Sequence, residues 1–241
     1  MSLQVNDALA GRSVLVTGGS RGIGAAVATQ LAEAEARVHV LCRDPGPAAA
    51  VAEASGGACW AADVGDDVEV WTALDALQEQ LGGAPDALVL AAGTFELAPL
   101  AETSVALFDR QVSVNLRGAF LVVRALLPAM LERDSGRIVQ VGSVSGRRAF
   151  AGNAAYSASK YGLRGLHEVL VEELRGTGVG ATLLEPAATD TTLWDPLNPD
   201  DDPHLPGRGA MLRPEDVAAA VCWVLTRPPH VRIPLLQIER G

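Results

Sequence analysis

Lysine is almost missing from this chain of 241 residues: of its 19 basic side chains one, Lys160, is lysine and the rest are arginine. Basic residues are themselves outnumbered by 29 acids, giving a formal charge of −10 and a pI near 4.8. Affinity for nucleic acid comes mainly from Lys and Arg neutralising phosphates, so no nucleic-acid partner is expected. Cysteine is scarce too. Cys42, Cys59 and Cys222 are odd in number, widely spaced and without a CxxC pair, which reads as buried free thiols. His39, His167, His204 and His230 lack HExxH spacing, so no metal site is expected. No apolar run reaches the roughly 18 residues of a membrane span, and no basic amphipathic stretch suits an anionic surface. The start, MSLQVNDALAGRS, has neither a basic n-region nor an apolar h-region. The expected location is the cytoplasm, with no membrane partner.

What the chain does have is alternation. SVLVTG, GAAVATQLAEAEA and RVHVLCR begin a strand-helix-strand rhythm. It continues through ACWAADV, VEVWTALDALQEQL, DALVLAAG, a helical region from Ser104 to Glu132 and RIVQVGS. A helix through Tyr156 to Arg175, the strand VGATLLEP, a helix from Pro214 to Thr226 and a strand near IPLLQIE complete it. This predicts an α/β fold: a doubly wound, Rossmann-like parallel sheet of about seven strands with helices on both faces, in one domain spanning 1–241. Residues 192–213 (TLWDPLNPDDDPHLPGRGAMLR) break the rhythm with Pro, Asp and Gly, and are read as a substrate loop or lid.

TGGSRGIG, Thr17 to Gly24, follows the first strand and opens the first helix. Glycines there permit close backbone approach, and a helix N-terminus offers unpaired N–H groups to a pyrophosphate, so Gly18, Ser20, Arg21, Gly22, Ile23 and Gly24 are candidate dinucleotide contacts. The second strand ends VLCRD, where Arg43 can meet a ribose 2′-phosphate; Asp44 beside it keeps NAD(H) open, with NADP(H) preferred.

Tyr156 and Lys160 stand at i and i+4, one turn apart on a predicted helix. A tyrosine with its ordinary pKa near 10 is a poor acid-base group at neutral pH, and an adjacent ammonium would favour the phenolate. Alone, the pair reads equally well as a solvated surface contact. Ser143 ends the strand RIVQVGS, 13 residues before the tyrosine, where open α/β sheets bind ligands.

The Gly18, Gly22, Gly24 spacing after Thr17, with VGSVSG and YSASK, resembles the short-chain dehydrogenase/reductase family from about Gly11 to Ile238. The resemblance implies a catalytic tetrad of Asn115, Ser143, Tyr156 and Lys160, in which Asn115 holds a water linking the lysine to solvent. It also implies cofactor contacts from Arg21 and Arg43 about the ribose, from Asp63 and Val64 at the adenine, and from Ala92, Gly93, Pro186, Thr189 and Thr191. Asp63 would serve equally well as a helix cap. Ser145, Phe150 and Trp194 are candidate substrate residues. Three departures stand out: Cys42 where the family places an acid, Leu90-Ala91 where many relatives carry two asparagines, and Ala187 in place of a glycine. The implied activity is interconversion of a small-molecule secondary alcohol and ketone, in a homodimer or homotetramer; the alternative is a dinucleotide-binding sensor or scaffold without turnover.

Overall fold

The computed structural model describes residues 8–241; the first half of the N-terminal stretch, and with it the start of the 1–241 domain, lies outside the described residues. The β-branched and apolar runs form strands β1 (Ser13–Thr17), β2 (Arg37–Cys42), β3 (Cys59–Ala61), β4 (Ala87–Leu90), β5 (Gly136–Val141), β6 (Val179–Pro186) and β7 (Leu235–Ile238). Every neighbour pairs in parallel, in the order β3-β2-β1-β4-β5-β6-β7.

The helices are α1 (Gly22–Glu33), α2 (Gly46–Ala54), α3 (Asp67–Leu81), α4 (Val105–Val112), α5 (Gly118–Glu132), α6 (Ala154–Glu173) and α7 (Pro214–Leu225). Helix α2 is an addition to the sequence reading: GPAAAVAEA is mostly alanine, and its Ala48 and Ala52 are buried in the core with β1 and β2. Successive strand residues face opposite ways. Val14 and Val16 therefore join the core under α1, α2 and α7, while Leu15 joins the core under α3, α5 and α6. Burying one such leucine stabilises the fold by roughly 2 kcal/mol.

The expected helix from Ser104 to Glu132 is interrupted. Ser104 caps α4 by accepting from the Leu107 N–H, and Ser113–Arg117 forms a π-helical turn before α5 resumes. The stretch Val105–Glu132 is long and apolar enough to cross a membrane by composition, yet Leu121, Val122, Leu126 and Met130 lie in the core beneath the sheet.

Residues 192–213 lie between β6 and α7 and hold two short 3-10 segments, Thr192–Leu197 and Arg208–Ala210. Asp195 and Asp200 of this segment, with Asp190 just before it, gather on one cation: the Arg208 guanidinium pairs with Asp190 and, at 2.6 Å, with Asp195, while Asp200 accepts from the Arg208 backbone at 2.7 Å. At the far edge β7 is held by Glu185, 1% exposed, which accepts from Gln237 at 3.0 Å and pairs with Arg164 and Arg147 at 3.2 and 3.4 Å.

Because β1 neighbours both β2 and β4, chain connections leave it in opposite directions and open a crevice at the carboxyl ends of the strands. The loops after β1 through β6 all border that crevice.

Candidate active site

The crevice is a cleft of about 1020 Å³. Its floor begins where β1 turns into α1. Gly18 takes φ +70°, and a Cβ there would stand 2.6 Å from the Ala92 Cα, so the backbone after β1 lies directly on the backbone after β4. Gly22, at φ +54°, leaves room for the Thr191 methyl. Both glycines thus let neighbouring segments close in beside the α1 N-terminus, and Gly18, Gly22 and Gly24 border the cleft there, an arrangement that suits a pyrophosphate.

At one end of the cleft lie Arg21, Arg43, Asp44, Asp63 and Val64. Arg21 and Arg43 are exposed, and Arg43 meets Asp63 only loosely, at 3.8 Å. An exposed pair at that distance contributes little, leaving the guanidinium available to a phosphate. Asp63 is not the helix cap: its Oδ1 accepts from the Gly65 N–H at 2.8 Å, while Asp66 caps α3. Cys42 is buried beneath Arg43, its Sγ 4.0 Å from that of Cys59, and burial raises both thiols above their ordinary range.

The middle of the cleft holds Ser143, Tyr156 and Lys160. Ser143 follows β5, with its hydroxyl accepting from the Ser145 N–H at 3.1 Å. Helix α6 presents Tyr156 and Lys160 to the same spot, and the Lys160 Nζ lies 5.6 Å from the Tyr156 ring centre while donating to the Val141 carbonyl at 2.9 Å. Here the electrostatics reverse the sequence expectation. Burial pushes the phenol up to about 12, with the Ser143 hydroxyl pulling the other way, and burial brings the ammonium down to about 8. Loss of water opposes both charges.

Asn115, in the π turn, lies beside this group but is spoken for by protein. Its Oδ1 accepts from the Thr94 N–H at 2.8 Å, and its Nδ2 donates to the Thr94 carbonyl at 2.9 Å and to the Ser159 hydroxyl at 3.0 Å. It clips the segment after β4 onto α6. The departures at Leu90 and Ala91 fit the same repair: both side chains pack into the two cores, and the Thr17 hydroxyl accepts from the Ala92 N–H at 3.2 Å. Ala187 keeps an ordinary negative φ and donates to the Ile238 carbonyl at 2.9 Å.

Of the remaining sequence candidates, Ser20, Ile23, Gly24, Ala92, Gly93, Pro186, Thr189 and Thr191 border the cleft. Ser145 borders it too but is buried and accepts from Asn153 at 3.0 Å. Phe150 is 42% exposed at the rim. Trp194 comes over the site from the 192–197 segment, its Nε1 donating to the Thr189 carbonyl at 3.1 Å. Sequence reasoning missed Phe95. Its ring meets Tyr156 edge-on at 4.8 Å and Trp194 at 5.0 Å, forming an aromatic run over the catalytic candidates. Its place two residues beyond Gly93, at the end of a central strand, was the available signal.

A family model described as "short chain dehydrogenase" matches residues 12–202. D-threitol dehydrogenase of Mycolicibacterium smegmatis is 34% identical over 93% of this chain and 89% of its own. A metagenomic short-chain oxidoreductase solved in complex with NADP superposes with a TM-score of 0.81 at 31% identity, covering 97% of this chain and 99% of that one. Serine dehydrogenase from Escherichia coli does so with a TM-score of 0.81 at 28% identity, covering 94% and 96%.

Proposed function

This chain belongs to the short-chain dehydrogenase family and is an oxidoreductase of the nicotinamide-dinucleotide-dependent kind, and from that premise we propose that it interconverts a small secondary alcohol and its ketone with a preference for NADP(H). The observation that carries the reading is the meeting of Ser143, Tyr156 and Lys160 at mid-cleft, between a glycine cradle and an aromatic cover. Gly18, Gly22 and the α1 N-terminus would hold the pyrophosphate, Arg21 and Arg43 a 2′-phosphate, and Pro186, Thr189 and Thr191 the nicotinamide side. When bound, the dinucleotide supplies or accepts the hydride.

The chain's own groups handle the oxygen and its proton. With its pKa near 12, Tyr156 holds its proton at neutral pH and so enters as the acid. Ser143 offers a second hydroxyl to the same carbonyl oxygen, favouring charge as it develops there. As Tyr156 gives up its proton, the Lys160 ammonium, 5.6 Å from the ring centre, is a positive charge beside the phenolate that remains. The cost of burying that ammonium is thereby offset in the reacting state rather than the resting one.

NADPH oxidation followed with a panel of ketones tests the reading: turnover that Tyr156→Phe abolishes supports it. Cofactor binding with no turnover of any substrate would instead favour a sensor. For cofactor choice, Arg43→Ala should weaken NADPH at least tenfold more than NADH, since a charge-assisted phosphate contact is worth about 1.5–3 kcal/mol; equal losses would overturn the preference. Exposed Phe108, Phe120, Tyr161 and Val169 on α4, α5 and α6 favour pairing of two copies through those helices; a monomeric mass in solution would remove that part.

A further inference from the structure

We infer that Phe95 and Trp194 form a specificity wall that selects ketones bearing an aryl or bulky alkyl group over small ones. This rests on the proposed carbonyl chemistry at Tyr156 and goes beyond it to the substrate class. Phe95 touches Tyr156 edge-on at 4.8 Å, so a substituent on the reacting carbonyl carbon has that ring for a neighbour. The wall is held from both ends. Asn115 clips Thr94, the residue before Phe95, by both its N–H and its carbonyl. Trp194 is fixed by its Nε1 bond to Thr189 and by the Arg208 pairing of neighbouring Asp195.

The rest of this end of the cleft agrees. Leu97, Val144, Phe150, Leu193 and Leu205 also line it. Charged groups near this end are paired within the protein: Arg110 with Glu96, and Asp190 and Asp195 with Arg208. Thr94, Asn153, Thr192 and the exposed His204 are polar residues among the lining here. An aryl group placed against the wall gains edge and face contacts with two rings, which a small alkyl group does not.

The test measures kcat/KM with NADPH for acetophenone and 2-butanone, using the wild type, Phe95→Ala and Trp194→Leu. Melting temperature and NADPH affinity report whether each variant has folded. The wild type should prefer acetophenone over 2-butanone by about tenfold or more, the worth of ring contacts that the smaller ketone lacks. Each variant should lower that ratio about tenfold or more. 2-Butanone equal to or better than acetophenone, or ratios within about threefold of wild type in both folded variants, would overturn the wall. Should no ketone turn over, the catalytic reading fails, and calorimetric titration of 1-phenylethanol and 2-butanol into the NADP⁺ complex still decides. Tighter aryl binding that both variants lose supports the wall; equal affinities overturn it.

Discussion

Replacing Asn115 with alanine removes three hydrogen bonds at once, two to the Thr94 backbone and one to Ser159, from a side chain that is 2% exposed. The Ser159 hydroxyl still has the Tyr156 carbonyl to donate to, at 2.7 Å, so its loss is small. The Thr94 N–H and carbonyl lose their side-chain partner in a part-buried place, at about 1–2 kcal/mol each. Together these predict a destabilisation of about 2–4 kcal/mol, which for a domain of this size lowers Tm by roughly 5–15 °C. Turnover of a bulky ketone should fall as well, because slack at Thr94 passes to Phe95 and from there to the Tyr156 ring. Differential scanning calorimetry and NADPH-oxidation kinetics on the same preparations read both effects. Ser159→Ala is the control and should cost about 1 kcal/mol. Were Asn115 only the holder of a water for the lysine, activity would collapse while Tm stayed within about 2 °C of wild type, less than 1 kcal/mol on the same conversion. That outcome refutes the clip.

Burial of Lys160 makes a pH-dependent prediction. Its folded pKa, about 8, lies below the ordinary 10.5, so the unfolded chain binds the proton more readily between those values. The penalty is therefore full below pH 8 and is relieved as pH rises toward 10.5. Lys160→Met should be more resistant to urea than wild type at pH 7 although it turns over no ketone, with the gap narrowing by pH 9.5; a constant gap would show that the ammonium is not what strains the fold. Arg208→Ala should leave Asp190, Asp195 and Asp200 facing one another, freeing the 192–213 segment. Limited proteolysis there should quicken, and KM for a bulky ketone should rise about threefold to tenfold, a modest change because these ion pairs are partly solvent-exposed; unchanged cleavage would mean that the segment is held by packing instead.

Local pattern carried the fold. Strands of three to eight mostly apolar residues, the glycine turn and the helical spacing of Tyr156 and Lys160 are properties of short windows, and the backbone geometry that each window favours survives folding. Ser143 was legible for the same reason, since it marks the end of a strand. Helix α2 and the π turn were not, because small alanines and a single inserted residue leave a hydrophobic period almost unchanged.

The site's working detail came from contacts between distant parts of the chain. Asn115 reaches Thr94 and Ser159 across 21 and 44 residues, and Phe95 reaches Tyr156 and Trp194 only after β4, α6 and the 192–197 segment have converged. Depth of burial, which reverses the expected pull of Lys160 on Tyr156, is likewise a property of packing: no window of sequence states how much water a side chain loses. The sequence by itself determined which groups would meet at the carboxyl edge of the sheet; the tertiary structure decided which of them keep their protons, which are tied up by protein, and which two aromatic rings stand over the rest.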